Sequence, residues 1–177
     1  RGVAWISRFL NFAGPAVYVV MILLLIFLWA EAGGELIDGV GSLFRSERTG
    51  WQAFSAFVGV VGTMVAYFAA VVVNYGDFSR FTGSLSQMRR GNFYGLPVSL
   101  TFFTFLALFI TAGSYIALQH GGGTPLTNPA DIVGLVGNTY LTLIAAVTFF
   151  IATVGINLVA NFVPPAYDLA NLWPSRI

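Results

Sequence analysis

The sequence predicts an all-α integral membrane protein with four transmembrane helices. Of its 177 residues, 57% are hydrophobic and only 8% are charged, and the mean hydropathy is +0.81. So few charges could not cover the surface of a soluble protein. The hydrophobic residues also fall in uncharged runs, and about 20 helical residues are enough to cross the roughly 30 Å of a bilayer's hydrocarbon.

The uncharged runs define the spans of a single membrane domain. The predicted spans cover about residues 10–30, 51–76, 94–118 and 133–163. In the first, Pro15 lies near the start, where a proline costs a helix least. The third ends before the glycine loop that begins at His120. The uncharged run of the fourth continues up to Asp168 and is interrupted by Pro164 and Pro165. It is long for one perpendicular crossing, so we expect it to tilt or to end at the membrane interface or inside protein.

The second span is uncharged for twenty-six residues, from Trp51 to Gly76. Gly59 and Gly62 mark either a break in this helix or a close helix contact, and the sequence leaves both open. The chain leaves the bilayer at the turn-forming residues before Asp77.

The arginines predict the orientation of the spans. With four crossings, both termini and the loop 77–91 share one side. That side holds six of the eight arginines, Arg1, Arg8, Arg80, Arg89, Arg90 and Arg176, and the other side holds Arg45 and Arg48. The positive-inside rule then places both termini and the loop 77–91 in the cytoplasm of a multi-pass protein of the plasma membrane.

Composition also argues against several kinds of function. The net charge of +1 argues against a nucleic-acid partner, because binding to nucleic acid needs a basic patch. Without cysteine, and with His120 as the one histidine, we expect no metal site, no cofactor and no catalytic centre. His120 itself is interpreted as an ordinary loop residue.

Polar side chains in the fourth span share one helix face. Thr153, Asn157 and Asn161 follow one another at i, i+4 spacing. An amide in hydrocarbon needs partners, so this face either lines a cavity or bonds to neighbouring helices. Asn161 is the stronger candidate for a ligand contact, because an amide both donates and accepts hydrogen bonds.

On the second span, Tyr67 and Phe68 follow the glycines. Their rings could stack on a planar substrate, although an aromatic side chain in a membrane helix is more often there for packing.

Three motifs resemble the nucleobase-cation symporter-1 family, whose members include permeases for cytosine, uracil, purines, allantoin and hydantoins. They are NYGDFSRF at 74–81, MRRGNFYGLP at 88–97 and ATVGINLVANFVPPAYDLANLWP at 152–174. The resemblance implies a LeuT-type fold of two inverted five-helix repeats, in which this chain corresponds to helices five to eight. Since the chain begins at Arg1, we expect it to be a fragment whose partners include the missing helices.

The resemblance also implies site residues. Phe68, with Tyr67 beside it, matches the aromatic position of a discontinuous sixth helix, and Asn161 matches the asparagine of the eighth helix that hydrogen-bonds the substrate. The coupling-ion set of sodium-dependent members falls on Ala152, Gly155 and Ile156, where both hydroxyls are missing. Sodium prefers several oxygen ligands, so we expect proton coupling rather than sodium coupling.

We therefore expect a secondary transporter that imports a small, planar, amide-rich substrate, such as a nucleobase or a related ureide or hydantoin, by cation-coupled alternating access. The alternative is a structural or assembly subunit of the membrane that transports nothing and whose polar residues join helices.

Overall fold

The computed structural model describes residues 2–45, 48–119 and 126–174, and every regular element within these ranges is helical. The glycine loop with His120 lies outside the described residues. The α-helices are α1 (Gly2–Ala32), α2 (Glu35–Leu43), α3 (Gly50–Val73), α4 (Tyr75–Ser79), α5 (Leu85–Phe93), α6 (Ser99–Gln119), α7 (Pro129–Gly134), α8 (Thr139–Asn157) and α9 (Val163–Leu172). Two π-helical segments, π1 (Tyr94–Val98) and π2 (Leu158–Phe162), interrupt this series.

Within the described ranges, four helical stretches are long and apolar enough to cross a membrane: Ala4–Ala32, Gly50–Ala69, Leu85–Leu118 and Thr139–Leu172. The prediction of an all-α membrane protein with four spans is therefore confirmed. The chain forms two compact units, one built from Arg1–Arg45 and Phe93–Gly155 and the other from Ser46–Asn92 and Ile156–Ile177.

The core of the first unit lies between α1 and α6. Leu24 and Leu28 of α1 are almost fully buried and pack in the same cluster as Ile110 of α6. Gly113 lets these helices approach closely, because an added Cβ would lie 2.8 Å from the Cβ of Leu28. At the start of α6, the Tyr18 hydroxyl donates to the Ser99 carbonyl over 3.0 Å.

The connection between the first two predicted spans, residues 31–50, contains the helix α2. Leu36 of α2 is fully buried against α6, and Gly39 lies close to Ile116. Judged by composition alone, the charges of Glu35 and Asp38 would predict a loop between two membrane spans. Burial of the apolar side of this short helix accounts for its helical structure.

The fourth span is preceded by a short helix. Asn128 accepts a hydrogen bond from the Ala130 N–H over 3.1 Å and so caps α7, with Pro129 in the first turn. Asn138 caps α8 in the same way, through the Leu141 N–H. The long helix therefore begins at Thr139, and Val133 is a buried residue of α7.

In the second unit, α3 runs without interruption from Gly50 to Val73. Of the two alternatives for Gly59 and Gly62, a break in the helix is wrong, because both glycines lie inside α3. Neither glycine has a heavy atom of a described neighbour within 4 Å of an added Cβ, so the structure shows no close contact there either. The helix ends at Val73, and Asn74 leaves the helical conformation (φ −91°, ψ 13°) before α4.

Candidate functional site

The fourth span changes its helical geometry where the candidate ligand contact lies. Asn161 is within π2, and the Val163 N–H donates to the Leu158 carbonyl, five residues back. Pro164 and Pro165 have no N–H, so the Ala160 carbonyl cannot receive a helical hydrogen bond from the residue four or five positions later. A wide turn with a spare carbonyl is typical of functional positions in helices.

Two asparagines meet across this change of geometry. The Asn161 Nδ2 atom donates to Asn157 Oδ1 over 2.7 Å, and Asn161 is exposed in the described structure. The bond occupies one of the two N–H groups of the Asn161 amide. The amide keeps its Oδ1 and a second N–H, which can pair with an amide group of a ligand.

Thr153 shares the predicted polar face but bonds within its own helix. Its hydroxyl donates to the Phe149 carbonyl over 2.8 Å, the usual i−4 bond of a helical threonine. Among these three polar residues, Asn157 and Asn161 are joined directly by a hydrogen bond between their side chains.

The aromatic pair of the second span lies near the end of α3. The rings of Tyr67 and Phe68 meet edge to face, with centroids 5.2 Å apart and an interplanar angle of 82°. Tyr67 is 71% exposed, whereas Phe68 is half-buried. Within the described part of the chain, the Phe68 ring contacts the Tyr67 ring, and the Asn161 amide bonds to the Asn157 amide. Neither contact joins Phe68 to Asn161.

A charged cluster that the sequence did not predict lies after the second span. The Arg80 Nη2 atom is 2.7 Å from Asp77 Oδ1, and the Arg80 guanidinium carbon is 4.3 Å from the centroid of the Tyr167 ring. Phe81 contacts the same ring, with centroids 6.0 Å apart. The cluster thus connects α4 with α9. Its residues lie in two of the sequence motifs, but spacing alone could not indicate that they meet.

Comparison with known proteins gives the family of this chain. A family model described as "Permease for cytosine/purines, uracil, thiamine, allantoin" matches residues 1–177, the full length of the chain. The chain belongs to this permease family. The resemblance to nucleobase-cation symporter-1 proteins is thereby confirmed, and a LeuT-type fold is consistent with that family.

Individual permeases are similar over nearly the whole chain. An allantoin permease of Bacillus subtilis is 33% identical over 100% of this chain and 35% of its own length. A purine-uracil permease of Arabidopsis thaliana is 30% identical over 98% of this chain and 28% of its own length. The chain thus spans about a third of the length of these relatives. No solved structure matches it.

The positions at which the resemblance implies a coupling-ion set, Ala152, Gly155 and Ile156, are apolar. Ala152 is partly buried, Ile156 is 60% exposed, and Gly155 is buried against α1. A Cβ added at Gly155 would lie 3.1 Å from the Phe9 ring and 3.2 Å from a Leu10 methyl group. Gly155 therefore serves close helix packing in the first unit. Among the described residues, no three His, Cys, Asp or Glu side chains form a group that could hold a metal ion.

Proposed function

We propose that this permease is a secondary active transporter that imports a nucleobase or a related ureide or hydantoin across the plasma membrane. The observation that carries the proposal is the Asn161 amide, which lies on a π-helical turn of a membrane span in a chain that belongs to a permease family for such compounds. Its Oδ1 and second N–H match the C=O and N–H groups that nucleobases, allantoin and hydantoins share.

Phe68 supplies the second half of the proposed site. A ring at this position would stack on the planar substrate while Asn161 bonds its amide edge, and Tyr67 would support the Phe68 ring through their edge-to-face contact. The two side chains are carried by different spans, so a rearrangement of the spans would open and close the site during alternating access.

We propose protons rather than sodium as the coupling ion. Sodium binding in this fold needs several oxygen ligands, and the side chains of Ala152, Gly155 and Ile156 offer none. The relatives are named permeases, and we accordingly propose transport without an enzymatic reaction, with no resident cofactor and with the arginine-rich loops on the cytoplasmic side.

A thermal-shift screen tests the proposal. The full-length protein in detergent is heated with uracil, cytosine, adenine, allantoin and hydantoin, each with and without sodium. A ligand that binds the folded form at 100 times its Kd stabilises it by about 2.7 kcal/mol. We expect at least one of these compounds to raise the Tm in a saturable way, equally with and without sodium. The absence of any shift across the panel would contradict the proposal.

A further inference from the structure

The hydrogen bond between Asn161 and Asn157 has a direction. The Nδ2 atom of Asn161 is the donor and Oδ1 of Asn157 the acceptor, 2.7 Å apart. Asn157 is the last residue of α8, and Asn161 is the fourth residue of π2. The bond therefore spans the point at which the helix changes from α to π geometry, and it links the side chain in the π turn to the regular helix before it.

The direction of this bond decides what Asn161 presents to a ligand. A carboxamide that rotates by 180° about its last side-chain bond exchanges its oxygen for its NH2 group at almost no steric cost. When Nδ2 is held by Asn157 Oδ1, the Asn161 Oδ1 is directed to the opposite edge. The orientation of this amide is thus set by a neighbouring residue, four positions earlier.

We propose that Asn157 is a positioning residue for substrate recognition: it fixes the Asn161 amide so that Oδ1 accepts from a substrate N–H while the second Asn161 N–H donates to the adjacent substrate C=O. This inference rests on the proposed function. It adds a requirement on the substrate, which must carry an N–H group next to a carbonyl group, as lactams and ureides do. Methylation of that nitrogen removes the donor and leaves Asn161 Oδ1 unpaired.

Two substitutions separate positioning from a general structural role. Asn157→Leu removes the acceptor and keeps a side chain that branches at the same carbon. Asn157→Asp keeps an oxygen that accepts from Asn161 Nδ2, whether or not the carboxyl is protonated. Asn92→Leu is the matched control, since Asn92 Nδ2 donates to the Tyr75 hydroxyl, also over 2.7 Å, through an exposed amide in the same unit.

The experiment measures equilibrium binding to the full-length protein of radiolabelled uracil, allantoin and hydantoin, with the N-methylated form of each as competitor. For the probe that the wild type binds, we expect Asn157→Leu to raise the Kd about tenfold and to reduce the preference over the N-methylated competitor. We expect Asn157→Asp to keep the wild-type preference and Asn92→Leu to keep both affinity and preference.

A double-mutant cycle with Asn161→Ala completes the test. If Asn157 acts through Asn161, then Asn157→Leu adds nothing to the loss caused by Asn161→Ala. Additive losses would overturn the inference, as would a wild-type preference in Asn157→Leu or a folded Asn157→Asp that has lost the preference. If Asn157→Leu elutes as aggregate, the test of the inference is whether folded Asn157→Asp keeps the preference over the N-methylated competitor. A wild-type protein that binds none of the probes contradicts the proposed function instead, so the two failures are distinguishable.

Discussion

Arg80 lies over the face of Tyr167, with its guanidinium carbon 4.3 Å from the ring centroid, while its Nη2 atom bonds Asp77 Oδ1 at 2.7 Å. The Asp77 side chain is 14% exposed and that of Arg80 44%. Asp77 therefore holds the guanidinium in place at the end of α4, where it lies over the ring of Tyr167, a residue of α9. This contact joins the segment that follows the second span to the end of the fourth span, the two spans that carry Phe68 and Asn161.

The first prediction concerns the contribution of this contact to stability. Tyr167→Leu should lower the free energy of unfolding by about 0.5–1 kcal/mol, the usual contribution of a cation–π pair at a partly exposed site. Tyr167→Phe keeps the ring face and should stay close to the wild type. Thermal unfolding of the purified protein measures both. In an Arg80→Gln background, Tyr167→Leu should lower the free energy of unfolding by less than it does in the wild type. An equal loss in both backgrounds would show that Arg80 contributes nothing through the ring.

The second prediction concerns the close approach of α1 and α6. Gly113→Ala should destabilise the protein by about 1–3 kcal/mol, because the new methyl group would lie 2.8 Å from the Leu28 Cβ and the helices would have to move apart. Gly134→Ala is the control, since nothing described lies within 4 Å of its added Cβ. The two variants are compared by their Tm in the same detergent. Equal Tm values would contradict the close packing described for Gly113.

The third prediction concerns the aromatic ring of the second span. Phe68→Leu should weaken substrate binding about two- to twelvefold, since an aromatic contact contributes about 0.5–1.5 kcal/mol beyond its buried area. Phe68→Tyr keeps the ring and should bind nearly as well as the wild type. Tyr67→Leu should have a smaller effect, because Tyr67 only supports the Phe68 ring. A larger loss from Tyr67→Leu than from Phe68→Leu would assign the stacking role to Tyr67.

The fourth prediction concerns the coupling ion. Uptake into proteoliposomes should continue when sodium is replaced by N-methyl-glucamine, because Ala152, Gly155 and Ile156 provide no side-chain oxygen. An inward proton gradient should accelerate uptake, and a proton ionophore should remove that acceleration. A steep dependence on sodium concentration would contradict this prediction and would require sodium ligands elsewhere in the protein.

The sequence predicts the spans well because the signal is long and repeated. Each span is a run of uncharged residues, and in a bilayer such a run has few alternatives to a helix. The spacing of Asn157 and Asn161 likewise indicated their shared face, and the structure joins them by a hydrogen bond. Whether Asn161 and Phe68 share a site stays a prediction, because each has its described contact with a neighbour on its own span.

Other features could not be predicted because they depend on contacts between distant segments. The helix α2 forms where Leu36 is buried against α6, which no local pattern specifies. The contact of Arg80 with Tyr167 joins residues from two separate motifs. The π turn at Asn161 had a local signal in Pro164 and Pro165, which cannot continue the hydrogen bonds of the helix. That signal was interpreted only as an interruption of a long span.

The central claim is that the Asn161 amide binds the substrate, and an equilibrium binding isotherm of Asn161→Ala measures this most directly. With the full-length protein and the ligand that gives the largest thermal shift, we predict saturable binding to the wild type. For an alanine variant that elutes as the same monodisperse peak, we predict an affinity at least about tenfold lower. An isotherm of Asn161→Ala that superimposes on that of the wild type would contradict the account.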